Sequence, residues 1–309
     1  MSGGRRWLGL ALVILASAAW STSGIFITLI LEGSQVSPVS LAFWRDLGTA
    51  VALLVVTLAL RREFARVVRR DLPYLAGMGA LSLGLFHLTW NLSVLANGVS
   101  VASVIQANMP TFVSVMAWML WREPLNWRKL VAIALAVVGT ALISRLDKRG
   151  STQMKLVGLM FGLVATVTYG SFSLFGKRLA GDYSSWTILT YAFAFAALAL
   201  LPFQVGRATP WPVPSDVLAP YAGLVLLTTL TGFALYTVAL RHLPASIAAI
   251  GANAELPFAA LLSFLLLGER LDGWQILGAL LIICSVVLVS LPERESDARS
   301  TCLLPDHLA

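Results

Sequence analysis

Long apolar runs separated by short polar breaks set the pattern of this chain. Ten windows of membrane length stand out, at about residues 7–31, 38–60, 72–96, 100–121, 127–144, 155–179, 185–204, 218–240, 244–267 and 273–291. A helix that crosses a ~30 Å hydrocarbon core needs about 20 apolar residues at ~1.5 Å each. The pattern therefore predicts an all-α polytopic membrane protein with ten transmembrane helices, and it leaves little chain for a soluble domain.

The windows fall into two sets of five that repeat one another. Residues 107–125 read ANMPTFVSVMAWMLWREPL and residues 252–271 read ANAELPFAALLSFLLLGERL. The shared frame is Ala-Asn, then Pro110 or Pro257, an apolar run, then Glu123-x-Leu125 or Glu269-x-Leu271. Trp127 and Trp274 each open a further run. Upstream, Leu8–Ile30 lies over Val157–Leu179, pairing Gly9 with Gly158, Trp20 with Tyr169 and Phe26 with Phe175, at offsets near 146–149. The expected organisation is a first five-helix repeat over 1–145, a linker at 146–154, a second repeat over 155–291 and a polar, disordered tail at 292–309. Five is odd, so the second copy must enter the bilayer opposite to the first. Inverted repeats around a midplane site are typical of secondary transporters.

Composition agrees: 58% of residues are hydrophobic, mean hydropathy is +0.82, and 12% are charged, against roughly 25% in a soluble domain. The net charge of +7 would point to nucleic acid in a soluble protein. Here nearly all Lys and Arg sit in loops or at span ends, where they set topology. With the amino terminus inside, fifteen fall on the inner side and six on the outer, while Arg45 lies within a span. Both termini are thus expected in the cytoplasm, with the protein in the plasma (bacterial inner) membrane. Arg5-Arg6 followed by Ala16-Ser17-Ala18 resembles a cleavable leader, but the apolar run continues to Leu31 and its repeat partner lies mid-chain, so it is read as a retained span. Cys284 and Cys302 form no disulfide framework. His87, His242 and His307 are too scattered for a metal cluster, and no metal or cofactor is expected. The Asn91-Leu92-Ser93 sequon falls inside a span. H-E-x-x-H and G-x-S-x-G motifs are absent, which weighs against a membrane-embedded enzyme, and a two-fold internal repeat fits a carrier better than a channel.

Ten spans in two repeats, with Pro110…Glu123-x-Leu125 echoed as Pro257…Glu269-x-Leu271, resemble the EamA-type drug/metabolite transporter superfamily. Trp20-Ser21-Thr22, Tyr169-Gly170-Ser171 and Phe43-Trp44-Arg45 are similar to that family too, although Tyr191 stands where the second half would carry the arginine. The resemblance covers residues 7–291. It implies a proton- or gradient-linked carrier, or a facilitator, for small organic solutes, commonly outward. Some members, such as the YddG group, are associated with aromatic amino acids; others handle nucleosides, cofactors or cationic drugs.

Polar groups within a membrane are costly and tend to face a cavity or a partner. His87, Trp90 and Asn91 on the third span, Gln106 and Asn108 on the fourth, Tyr236 on the eighth and Asn253 on the ninth are the candidate substrate-binding residues, with Trp20 and Tyr169 as a repeat-related aromatic pair. Trp90 pairs with Tyr236 in the same way. Packing or interhelical hydrogen bonding is the plainer role for each. Pro110 and Pro257 should free the carbonyls of Gln106 and Asn253. Glu255, at mid-span, is the candidate for proton coupling; an ion pair with Arg45 is the alternative. Adjacent Arg45 and Asp46 are expected to diverge. Glu123 and Glu269 read as helix-end contacts, and the terminal-span tryptophans, such as Trp7, Trp121, Trp127, Trp186, Trp211 and Trp274, as interfacial anchors. Gly158-x-x-x-Gly162 offers a close helix contact, although the two halves already complete each other as a monomer. The expected partners are a small solute and the bilayer.

Reporter fusions provide the direct test of this organisation. A periplasm-active reporter placed in 146–154 should score outside and fusions at both termini inside; identical insertion of the two halves would overturn it.

Overall fold

The structure is a computed structural model that describes residues 3–34, 36–60, 66–143, 156–207, 214–267 and 272–290. Every regular element among them is helical. In the first half these are α1 (Gly3–Ser21), α2 (Ser23–Gly33), α3 (Pro38–Leu60), α4 (Leu72–Gly79), α5 (Phe86–Gln106), α6 (Met109–Trp121) and α7 (Trp127–Ile143). In the second they are α8 (Leu156–Leu179), α9 (Ser185–Gln204), α10 (Ser215–Ala222), α11 (Gly232–Ala239), α12 (Ala245–Ala252), α13 (Glu255–Leu267) and α14 (Gly273–Ser290). Among the described residues, six helical stretches are long and apolar enough to cross a membrane: 4–27, 38–59, 69–93, 156–179, 185–204 and 215–239. Met109–Trp121 and Gly273–Val289 are shorter apolar helices. Glu269, Trp211 and the tail at 292–309 lie outside the described residues.

A π-helical stretch, Ala80–Leu85, joins α4 to α5, and a second, Gly223–Thr231, joins α10 to α11. They occupy matching places in the two halves. Within the second, the hydroxyls of Thr229 and Thr231 each donate to the carbonyl five residues back, at 2.7 and 2.9 Å. Such widened turns free backbone groups and are frequent at functional sites.

The two ends of α5 run in opposite directions along α8. Gly77 faces Phe175, Ser82 bonds Ser171, and Ser93 Oγ donates to Gly158 O at 2.9 Å, so the chain descends α8 up to Ser93. From Ile105 it climbs again: Thr166 bonds Ile105 O, and Gly170 faces Phe112. A Cβ on Gly162 would touch both Ser93 Oγ and Ile105 Cδ1 at 2.9 Å. In a straight helix those residues would stand ~18 Å apart. The chain must therefore reverse between them, where the apolar pattern places the break between its third and fourth windows.

The contacts of one half are those of the other with the halves exchanged. Phe26 packs on Gly223 and Phe175 on Gly77. Ser17 Oγ lies against the carbonyls of Gly251 and Ala252 at 3.4 and 3.3 Å, while Thr166 Oγ1 donates to Ile105 O at 3.2 Å. The paired helices α3 with α9, and α7 with α14, lie across the exchange. Segments expected on the inner side meet at one end: Tyr183 Oη donates to Asp71 at 2.6 Å, Arg241 bonds Tyr183 O, and Glu123 takes the Ala245 N–H and the Ser246 hydroxyl at 3.1 and 2.7 Å. Glu123 thus caps α12 of the other half. Arg6, at the start of α1, donates to Val289 O near the end of α14 at 2.7 Å. At the opposite end Gly33 meets Val217.

Small residues permit these approaches. A Cβ on Gly79 would sit 2.3 Å from Ala192 O and 2.6 Å from Phe195 Cβ, and one on Gly139 would sit 2.6 Å from Gly278 O. Gly158 and Gly162 are likewise used inside the chain, against Ser93 and Ile105. Trp7, Trp127 and Trp274 are 56–59% exposed, as expected of interfacial anchors, whereas Trp186 packs on the core.

Gly79→Ala should lower stability by about 1–3 kcal/mol, because a backbone carbonyl cannot yield to the added methyl. Gly24→Ala, with nothing within 4 Å of the new Cβ, should stay within about 0.5 kcal/mol. Thermal unfolding of both variants in detergent measures the difference.

Candidate functional site

The aromatic residues that the repeat pairs across the halves converge in the core. Trp20 on α1 stands edge-on to Tyr169 on α8 at 6.2 Å between centroids, to Phe233 at 5.1 Å, and tilted to Tyr236 at 5.2 Å, both on α11. Phe86, the first residue of α5, stacks on Tyr169 at 4.6 Å and reaches Trp90 at 6.3 Å. Phe172 packs on Phe233 and Tyr236. Two of these contacts are exchange partners: Trp20 with Phe233, and Tyr169 with Phe86. Phe86 follows directly on one π-helical stretch, and Phe233 stands two residues past the end of the other. Ser173 and the Tyr236 hydroxyl share a hydrogen bond of 2.8 Å. Gly232 admits the indole, since a Cβ there would lie 2.5 Å from Trp20 Nε1.

Two helix breaks flank the cluster. α5 ends at Gln106 and α6 begins at Met109; α12 ends at Ala252 and α13 begins at Glu255. Pro110 and Pro257 lie just beyond, and proline cannot supply the donor that would continue the ladder. The released carbonyls find partners, but not all where proline geometry alone predicts. Asn253 O accepts from Leu256 N at 3.2 Å, so it is not free. The carbonyls that reach across to the other half belong to Ile105, Gly251 and Ala252, taken by Thr166 and Ser17. Such breaks are tolerated at membrane depth only where the freed groups are satisfied or line a cavity.

Three buried polar atoms lie within this region without a hydrogen-bond partner among the described residues: Trp20 Nε1, Gln106 Oε1 and Asn253 Nδ2. Buried groups of this kind are rare and call for an explanation. Asn253 is buried, and Gln106 and Glu255 are half-buried. The remaining candidates go elsewhere. Asn108 is exposed and its amide donates to Ile105 O at 3.3 Å. Asn91 donates to Pro38 O at 2.8 Å and ties the third span to the start of the second.

His87 joins a separate group. Its Nδ1 lies 2.9 Å from Asp46 Oδ2, and Asp46 Oδ1 lies 3.7 Å from Arg45 Nε. Arg45 and Asp46 are neighbours in sequence, yet they do face one another, contrary to the divergence expected of adjacent helical residues; the flexible arginine stem curls back within the buried space. The ion-pair alternative for Glu255 therefore loses its partner to Asp46. His87 also touches Phe86 at 5.1 Å between rings, which links this group to the aromatic cluster.

Sequence reasoning missed Phe86, Phe233 and Phe172, and it named Asp46 only beside Arg45, without its bond to His87. The first two carried a usable signal, since they stand 147 positions apart, in register with the repeat. Asp46 carried none, because its counterpart in the second half is Ala192. A cavity of about 280 Å³ between α3 and α9 is lined by Ala50, Val51, Leu54, Thr190, Tyr191 and Ala194. No group of His, Cys, Asp and Glu among the described residues is arranged to hold a metal ion.

Comparison with known proteins places this architecture. The EamA-like transporter family model matches residues 7–145 and again 156–291, one copy per half. The chain is 27% identical to the uncharacterized inner membrane transporter YicL of Salmonella typhimurium, over 93% of this chain and 96% of that protein. It is 26% identical to a protein of Streptantibioticus cattleyicolor named as a probable terminal-alkyne amino-acid exporter, over 90% and 92%. A solved crystal structure superposes with a TM-score of 0.77 at 17% identity, covering 91% of this chain and 96% of that one, which speaks for the fold alone. With both halves matched and relatives aligned along nearly their whole length, this chain belongs to the EamA-like transporter family.

Proposed function

We propose that this transporter has ten spans in two inverted five-helix repeats, 1–145 and 155–291, and moves a small organic solute by alternating access. The observation that carries the reading is the exchange of contacts about the aromatic cluster, Trp20–Phe233 against Tyr169–Phe86, at two broken helices. Symmetry of this kind supports two arrangements of equal packing quality, one opened to each side, which is what alternating access requires. The meeting of Arg6 with Val289, and of the 66–71, 122–129 and 177–183 segments with 241–246 at one end, supports both termini lying together in the cytoplasm of a cell whose inner membrane holds the protein. The working unit is a monomer, since each half covers the other's breaks.

The solute is an amino acid, aromatic ones favoured, and the direction outward. The aromatic walls supply stacking and apolar contact for a ring. Trp20 Nε1, Gln106 Oε1 and Asn253 Nδ2 supply orientation, so that Trp20, His87, Trp90, Gln106, Tyr169, Tyr236 and Asn253 form the binding set. Asn91 and Asn108 serve as helix ties beside it. The name borne by the Streptantibioticus relative supports an amino-acid cargo. Glu255, which opens α13 at the second helix break, is the proton-coupling group: loading it with a proton neutralises a charge within the membrane and lowers the cost of rearrangement.

In proteoliposomes, L-phenylalanine or L-tryptophan flux should respond to an imposed pH gradient in the native protein. Glu255→Gln should retain exchange flux and lose the response to the gradient. An unchanged response would reject the coupling role, and absence of any flux of either amino acid would reject the aromatic cargo.

A further inference from the structure

Arg45 is a buried cation that the fold leaves incompletely answered. Its side chain is 12% exposed and that of Asp46 fully buried. The 3.7 Å between Nε and Asp46 Oδ1 exceeds hydrogen-bond reach, and neither atom has a hydrogen-bond partner among the described residues. The other oxygen of Asp46 is engaged by His87 at 2.9 Å. The remaining near neighbours offer little. Thr49 donates to the backbone carbonyl of Arg45 at 2.8 Å, not to its guanidinium, and the Tyr221 hydroxyl donates to the carbonyl of Trp44, also at 2.8 Å. A guanidinium presents five N–H donors in a planar fork that matches a carboxylate with two parallel bonds. Holding such a fork within the membrane, partly unpaired, is costly unless an anionic group comes to it.

Position gives that group a source. Arg45 is tied through Asp46 to His87, whose ring lies 5.1 Å from Phe86, and Phe86 stacks on Tyr169 at 4.6 Å. The cation therefore stands at one edge of the aromatic cluster. It stands there once: the matching positions of the second half carry Tyr191 for Arg45, Ala192 for Asp46 and Ala234 for His87. An exchange-symmetric scaffold thus bears a single anion-seeking edge, as expected for one solute held in one orientation.

We propose that Arg45, held in place by the Asp46–His87 pair, is the anchor for a carboxylate of the transported solute, whose apolar body lies against Phe86, Trp90 and Tyr169. The inference rests on the solute-binding reading above and adds a requirement to it: a free carboxylate on the cargo. His87 and Asp46 are positioning residues here, and Arg45 makes the contact.

The test is counterflow of radiolabelled L-phenylalanine in proteoliposomes, competed by unlabelled L-phenylalanine, 3-phenylpropanoate, L-phenylalaninamide and phenethylamine. Thermal stabilisation of the detergent-purified protein by the same four compounds gives a readout that does not need flux. The two compounds with a carboxylate should compete and stabilise at concentrations at least ten-fold lower than the two without. Arg45→Gln should erase that gap, and Arg45→Lys, which keeps the charge but not the fork, should narrow it several-fold while leaving phenethylamine unchanged. A ten-fold gap that survives Arg45→Gln, equal behaviour of Arg45→Lys and the native protein, or a native preference for the amine would each overturn the proposal. In those outcomes labelled phenylalanine still moves and the transporter reading stands; if the native protein neither moves nor binds it, the amino-acid reading fails and this inference with it.

Discussion

Hydrocarbon offers a peptide carbonyl nothing to bond with, and this constraint governs the core of the bundle. A helix broken at membrane depth exposes the carbonyls of its last turn, at a cost of several kcal/mol each when unmet. Here two helices are broken, before Pro110 and before Pro257, and the carbonyls of Ile105, Gly251 and Ala252 are met by hydroxyls of the opposite half, Thr166 and Ser17. Ile105 O and Gly251 O are also met within their own halves, by the N–H groups of Asn108 and Ala254. The bonds from the opposite half come on top of these, are reciprocal, and tie α1 to α12 and α8 to the α5–α6 junction.

Once those helices are fixed, the aromatic cluster follows. Trp20 lies one turn beyond Ser17, and Tyr169 one turn beyond Thr166, so each hydroxyl positions an aromatic ring toward the middle of the molecule. The π-helical stretches then matter by register. They shift the phase of the helices that follow, and Phe86 and Phe233 at their ends turn onto Tyr169 and Trp20. Glycine makes room: without a Cβ on Gly232, the indole of Trp20 can lie on the α11 backbone.

Function in such a scaffold comes from departures from symmetry. The Arg45–Asp46–His87 group belongs to the first half alone, and Glu255 to the second alone, where the stretch between Asn253 and Pro257 is two residues longer than that between Asn108 and Pro110. The framework is exchange-related, while these ionisable groups distinguish one half from the other.

The helical architecture and its duplication were legible in the sequence, because span length is dictated by bilayer thickness and apolar content is visible residue by residue. The paired prolines, the tryptophan–tyrosine pair and the helix-capping glutamate could be read for the same reason, since duplication marks positions that serve the same role twice. The sequence could not show which atoms meet. The shared hydrogen bonds of Ser17 and Thr166 and the phase shift that turns Phe86 onto Tyr169 depend on helix rotation and on distances between residues some 60 to 240 positions apart. Periodicity fixes which residues lie in apolar helices; only close packing of those helices decides which polar groups are left facing one another.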